Sequence, residues 1–293
     1  MRPKPKIALV GSGKWGKKLL SELALQADLQ TVVTKGSSGT ISFLKENYPL
    51  IKVSQNLDEI LDNPEITAVA VATPTRTHFE ISKKVIASGK HLFLEKPGAN
   101  DSNELSKINE AAKQNNLIFA VGYEFIHHPV LQKIMEKIEP KDIEYINMEW
   151  FKWGTFNDPA PAHLLSHEVS ILKHLTGTDI VVSDLKQSGV ISKSDIVYCN
   201  MKVGRFHADS IINRVSPEKR KTVTVKSVHA SYIWNNNDLL IVKEEKLEKV
   251  EISSDSPVKR ELMDFFDSVQ NGTKPKADGD FAVQVLKTIE KPL

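Results

Sequence analysis

The spacing of apolar positions changes once along this chain, near residue 122, and the two spacings predict two kinds of structure. Before that point, short continuous apolar runs alternate with amphipathic segments, the pattern of parallel strands joined by helices. Residues 7–10 and 29–33 read as strands on either side of a helix at 17–27, whose Leu19, Leu20 and Leu23 face inward. Helices follow at 41–47 and 56–61, the second ended by Pro64. The run AVAVA at 68–72 lacks polar alternation, as a strand covered on both faces requires. A helix at 77–88 stops at Gly89, and a strand at 91–94 closes in Glu95-Lys96-Pro97. Asp101 and Glu104 form a helix-start box for a segment running to 114, and 117–122 is the last strand of this half.

After Gly122 alternation takes over. A helix at 129–138 leads into a long strand at 143–153, then a loop rich in Pro, Asn and Gly, then a helix at 163–175 capped by Gly177. The segments 180–190, 195–203, 205–215, 221–228, 229–234, 238–242 and 246–251 predict a meandering, largely antiparallel sheet. Helices at 258–271 and 281–291 close the chain. The expected fold is α/β: a Rossmann domain with a parallel sheet over 1–122, followed by an α+β domain with a large, mostly antiparallel sheet over 123–293.

Composition narrows the function by exclusion. The 293 residues carry 39 basic and 37 acidic side chains, a formal net charge of +2, so no global field points to nucleic acid or membrane. An anionic ligand must be held by a local site. With Cys199 as the single cysteine, neither an internal disulfide nor a cysteine zinc site can form. No apolar run approaches the ~20 residues of a membrane span, and none near the start suits a signal peptide, so the expected location is cytoplasmic.

The sharpest local signal is Gly11-Ser12-Gly13-Lys14-Trp15-Gly16, a G-x-G-x-x-G turn directly after a strand and opening a helix. The first glycine permits the tight turn, the second lets a pyrophosphate approach, and the third lets helix and strand pack closely. The helix start then offers N–H groups and positive dipole to that anion. An NAD site ordinarily has Asp or Glu at the end of the second strand for the ribose 2′-hydroxyl. This chain has Thr34-Lys35-Gly36-Ser37-Ser38 there. A cation with small hydroxyls suits a 2′-phosphate, which favours NADP over NAD.

From Ala68 the chain reads AVAVATPTRTHFEISKKVIASGKHLFLEKPGAN, which resembles the signature region of the glucose–fructose oxidoreductase / inositol dehydrogenase / MocA (Gfo/Idh/MocA) family. Three features carry the resemblance: a strand ending in Thr73-Pro74, His78 opening a helix, and a strand running into Glu95-Lys96-Pro97. The glycine turn with Trp15, and the segments at 121–134, 167–177 and 265–290, are similar to family segments in the same order. The resemblance implies a Rossmann domain before an open-sheet domain, and hydride transfer between a nicotinamide and a sugar, cyclitol or nucleotide-sugar carbon.

It also implies site residues. The cofactor would meet the glycine turn (Gly11 to Gly16), Thr34, Lys35, Ser37, Ala72, Thr73, Pro74, Thr75, His78, Glu95 and Lys96. Lys96 would hold substrate and nicotinamide, as suits a lysine just past a strand's carboxyl end. His167 matches the family's acid/base histidine, and a neutral imidazole can accept a hydroxyl proton. One position departs from the family pattern: the residue four before that histidine is usually Asp, and here it is His163. Either His163 takes over as base, or catalysis is altered, or the chain is a non-catalytic NAD(P)-binding regulator of the same fold. A glycosidase that uses tightly held NAD transiently is a third reading.

Tyr123 and Glu124 are expected to line the substrate cleft, whereas His128-Pro129 reads as a helix start. Trp150, Trp153 and Phe156 suit either sugar stacking or core packing. No metal is expected, and a homodimer or homotetramer is implied by the resemblance.

Overall fold

The structure is a computed structural model that describes residues 4–154, 156 and 164–290. The chain divides into two compact units, residues 1–124 with 258–283 and residues 125–257 with 284–293.

In the first unit, β1 (Lys6–Val10), β2 (Asp28–Val33), β3 (Lys52–Ser54), β4 (Ala68–Val71), β5 (His91–Glu95) and β6 (Phe119–Gly122) form one sheet. Their order is β3-β2-β1-β4-β5-β6, and every pair is parallel. The helices α1 (Lys14–Gln26), α2 (Ser38–Asn47), α3 (Asp58–Leu61), α4 (His78–Ala87) and α5 (Ser102–Gln114) connect them. The order reverses between β1 and β4, and such a switch point opens a crevice at the strands' carboxyl ends. The sequence pattern does not predict β3, because Lys52-Val53-Ser54 offers one half-buried apolar residue and no run. Asp101 accepts from the Glu104 N–H at 2.8 Å, so the expected start of α5 is present as a side-chain cap.

Leu19, Leu20 and Leu23 of α1 pack inward as expected, against a core completed from far along the chain. Helix α8 (Pro257–Asn271) contributes Val258, Leu262, Phe265 and Phe266 to it, with Phe265 set edge-on to Phe93 at 5.7 Å. The expected boundary after 122 leaves this helix with the second part, whereas its apolar face belongs to the first unit. Each such side chain contributes roughly 1.5–3 kcal/mol of burial before chain entropy is set against it.

The second unit opens with α6 (Pro129–Met135), whose start is capped by His128 through Nδ1 and the Val130 N–H at 3.2 Å. Then come β7 (Ile143–Trp153), α7 (Ser166–Thr176) and seven further strands. These are β8 (Ile180–Ser188), β9 (Ile196–Val203), β10 (Phe206–Asn213), β11 (Val215–Ser227), β12 (Ser231–Asn235), β13 (Asp238–Lys243) and β14 (Lys246–Val250). They form an eight-stranded sheet in the order β14-β13-β12-β11-β7-β10-β9-β8, in which β7 and β10 are the parallel pair. The pattern breaks the chain between 215 and 221, but β11 runs through. Pro217 falls where the register with β7 shifts between Val215 and Arg220, a bulge that tolerates a residue lacking an N–H. Gly177 ends α7 with φ +64°, a left-handed cap. Helix α9 (Gly279–Glu290) ends the described chain.

Candidate functional site

The turn from β1 into α1 shows why each glycine stands where it does. Gly11 has φ +102°, and a Cβ there would lie 2.5 Å from the Ala72 carbonyl oxygen at the end of β4. A Cβ on Gly16 would lie 2.4 Å from the Gly11 carbonyl oxygen, so α1 and β1 approach as closely as backbones allow. A Cβ on Gly13 would meet no atom within 4 Å. Gly13 therefore answers no packing demand inside the fold; its bareness suits something that approaches from outside. No side chain caps α1, and its first turn holds no acid, so an anion there would find N–H groups and no competing carboxylate.

This turn borders a cleft of about 850 Å³ in the first unit. Of the residues expected to hold the dinucleotide, Gly11, Ser12, Gly13, Thr34, Lys35, Ala72, Thr73 and Pro74 line it. Thr34 ties the two loops together, because its hydroxyl lies 2.6 Å from Ser12 Oγ and accepts from the Gly36 N–H at 3.0 Å. The Ser37 hydroxyl accepts from the Thr40 N–H at 3.4 Å and so caps α2. Arg76 and Lys84 also line the cleft, with Asp58 and Glu80 as its acids. Both cations escaped the sequence reading, because isolated basic residues on a predicted helix, as at Lys84, or just before it, as at Arg76, look like a solvated face.

Lys14, Trp15, Gly16, Ser37, Thr75, His78, Glu95 and Lys96 are not part of that wall. His78 is buried, with Nε2 2.7 Å from the Thr73 carbonyl oxygen, so it clamps the start of α4 to the end of β4. Burial holds its pKa below the ordinary histidine value, which keeps the ring neutral. Glu95 is buried at the end of β5 and accepts a hydrogen bond from Trp15 Nε1. Burial pushes its pKa up to about 8, with the neighbouring Glu124 carboxylate adding to the shift. Half-buried Lys96 follows, joined to Pro97 by a cis peptide bond. Glu124 pairs with Lys18 at 2.9 Å, and Glu261 of α8 lies close enough to Glu95 and Glu124 to feel both charges. Tyr123 and Glu124, expected at a cleft, are buried in this unit, Tyr123 edge-on to Phe281 at 5.9 Å.

In the second unit, α7 presents His167 to a cluster of rings. The imidazole stacks on Trp150 with centroids 5.3 Å apart and planes 7° apart, and meets Phe125 edge-on at 4.8 Å. His128 and Trp234 extend the cluster, 4.7 Å apart. Trp150 is thus a packing partner of His167, while Trp153 is exposed and edge-on to Phe156 at 5.7 Å. Beside His167, Glu168 is buried and accepts from Ser210 Oγ; burial pushes its pKa up to about 8. His163 lies outside the described residues. Among the described residues, no three His, Cys, Asp or Glu side chains gather as metal ligands would.

Comparison with known proteins supplies an independent reading. Residues 5–123 match the model of an oxidoreductase family with an NAD-binding Rossmann fold. The chain is 26% identical over 187 residues to a UDP-N-acetylglucosamine 3-dehydrogenase of Acidithiobacillus ferrooxidans, covering 60% of this chain and 58% of that protein. It is 26% identical over 174 residues to a scyllo-inositol 2-dehydrogenase (NAD(+)) of Bacillus subtilis, covering 58% of this chain and 50% of that protein. The matched sequence therefore spans 58% of the first relative's length and 50% of the second's. The solved structure of the Acidithiobacillus ferrooxidans protein superposes with a TM-score of 0.89 at 20% identity, over 98% of this chain and 95% of that one.

Proposed function

We propose that the chain, whose residues 5–123 match the model of an oxidoreductase family with an NAD-binding Rossmann fold, is a Gfo/Idh/MocA-type NADP-dependent oxidoreductase acting on a hydroxyl or keto carbon of a sugar, cyclitol or nucleotide sugar. The observation that carries the reading is the bare backbone of Gly13 beside a cleft with no acid at the end of β2. Lys35 at that strand end suits a 2′-phosphate, with Thr40 beside it in the wall. On this reading residues 1–122 bind the dinucleotide and residues 123–293 bind the substrate. The dinucleotide, when bound, supplies the hydride acceptor or donor.

The protein's own residues then move the proton and balance the charge. Lys96, at the carboxyl end of β5, donates to the substrate oxygen and stabilises negative charge that develops there. His167 accepts the hydroxyl proton during oxidation and returns it during reduction. Its ring plane is set by Trp150 and Phe125. His163 would be the second acid/base group in place of the usual Asp. The eight-stranded sheet keeps Tyr145 and Ile196 exposed, which supports a homodimer or homotetramer built on that face.

The test is absorbance at the reduced-nicotinamide band with a panel of sugars, cyclitols and nucleotide sugars. Turnover that disappears in Lys96→Ala is the expected result. The His163 replacement favours a second reading, a regulator that binds NAD(P) without turnover. Tight NADPH binding with no turnover on any panel member selects it.

A further inference from the structure

Strand order sets two fixed mounts on either side of the glycine turn. In the first sheet β1 lies between β2 and β4, so the loops leaving β2 and β4 flank that turn, with the strand ends about 10 Å apart at two strand spacings. On the β2 side, Thr34 holds the bend that carries Lys35. Its N–H donates to the Ser54 carbonyl at 2.9 Å, and its hydroxyl engages Ser12 and the Gly36 N–H. On the β4 side, a single helical turn at Thr75–Thr77 carries Arg76. The Thr77 hydroxyl lies 2.8 Å from Thr73 Oγ1 and 2.7 Å from the Pro74 carbonyl oxygen, and the Thr77 N–H donates to that carbonyl at 2.9 Å. The backbone beneath each cation is therefore held, and both residues line the same cleft.

Lys35 and Arg76 are exposed, and among the described residues neither head group has a hydrogen-bond or ion partner. The ordinary fate of a surface cation is visible on α4, where Lys83 reaches both oxygens of Glu80, at 3.1 and 3.2 Å. Glu80 is one of the two acids in the cleft wall, so its charge is already offset. Asp58 is then the remaining acid against Lys35, Arg76 and Lys84. A concave wall with surplus positive charge attracts an anion. The start of α1 can hold a pyrophosphate through backbone N–H groups, which leaves these side chains for a second anionic group.

A phosphate monoester carries roughly −1.5 to −2 charge near neutral pH and three acceptor oxygens. One lysine meets it as a point charge and neutralises about half of it. A guanidinium adds the second charge and a planar pair of N–H donors. We propose that Arg76 is the second ligand of the adenosine 2′-phosphate, gripping it from the β4 side while Lys35 meets it from the β2 side. The proposal rests on the NADP reading of Lys35 and extends it to a loop that the end of β2 does not reveal. It also gives discrimination in both directions. With NAD the two cations would face a neutral hydroxyl, so the pair selects against NAD as well as for NADP.

Calorimetry with 2′,5′-ADP and 5′-AMP isolates the 2′-phosphate, because the two nucleotides differ in that group alone and neither is turned over. Wild type is expected to bind 2′,5′-ADP about a hundredfold tighter. Arg76→Gln should cut that preference about tenfold or more and leave 5′-AMP affinity nearly unchanged. Arg76→Lys, which keeps the charge and loses the fork, should recover part of it, and Arg76→Gln combined with Lys35→Ala should abolish it. Since Arg76 is exposed, Arg76→Gln should melt with wild type, which separates binding from folding. An unchanged preference in Arg76→Gln overturns the proposal. So does an equal loss for both nucleotides, which would place the guanidinium on the adenine or the 5′-phosphate. A wild type that does not distinguish the two nucleotides overturns it together with the NADP reading, and turnover of the sugar panel with NADH would then leave the oxidoreductase reading standing. A 2′-phosphate preference that depends on Arg76, with no turnover on that panel, sinks the oxidoreductase reading and leaves this proposal in place.

Discussion

The indole of Trp150 lies flat against the imidazole of His167, with 5.3 Å between ring centroids and 7° between planes. Stacking fixes the plane of the imidazole and leaves its in-plane nitrogens to hydrogen bonding. A histidine held this way keeps its orientation by packing, so the family's usual carboxylate one turn earlier is not its sole means of alignment. Replacing His167 with Asn should lower kcat/KM by about 10²–10⁴ and remove the acid limb of its pH profile, with NADPH binding unchanged. A His167→Asn enzyme that keeps both its rate and that limb would assign the proton to another group.

The three glycines of the nucleotide turn should fail in different ways. Gly11→Ala forces a methyl onto the Ala72 carbonyl at a positive φ and should cost about 1–3 kcal/mol of stability. Gly13→Ala meets nothing in the fold and should leave the melting temperature within a few degrees, while NADPH affinity falls about tenfold or more. Thermal melts and fluorescence titrations on both variants separate the two roles. Equal losses of stability would show that Gly13 is kept bare for folding.

Lys35 should decide between the two dinucleotides. Lys35→Ala is expected to weaken NADPH binding by about 10- to 100-fold, the scale of one charge-assisted contact, and to leave NADH binding nearly unchanged. Calorimetry with each form reads the ratio directly. A variant that loses affinity for both by the same factor would place Lys35 against the pyrophosphate or outside the contact altogether.

Glu168 gives a pH dependence with a definite sign. Its folded pKa is raised by burial to about 8, against about 4.3 for an unfolded glutamate. Between those values the folded chain holds a proton that the unfolded chain has released, so the stabilisation is complete below the lower value and declines as pH rises through the upper one. Glu168→Gln should melt with a flatter pH profile and above wild type beyond about pH 8. Glu95, shifted in the same direction, should leave part of the slope in place. Melting curves from about pH 5 to about pH 9 check this; a variant profile parallel to wild type would mean that Glu168 is ionised throughout.

Much of the first sheet was legible because burial on both faces writes itself as unbroken apolar runs, as at Ala68–Val71. The span of Ile143–Trp153 was readable for the opposite reason, one covered face and one open. The edge strand at Lys52–Ser54 is too short to show either period. At the site, the glycine turn could be found because its residue types are demanded by backbone geometry. The role of Trp150 could not, since an aromatic on an alternating strand suits stacking or packing equally until α7 lays His167 against it. Arg76 and Lys84 were hidden likewise, because a cleft wall is a property of folded neighbours and leaves no local period.

Because Val258, Leu262, Phe265 and Phe266 finish the core around α1 and Phe93, a ribosome that has delivered the first 124 residues has released an incomplete body. Its greasy flank stays open while more than a hundred further residues are threaded out. Newly made chains should therefore depend on holdase chaperones until the last helices emerge. A stop codon placed ahead of Val258 should yield an aggregating fragment instead of a miniature nucleotide binder.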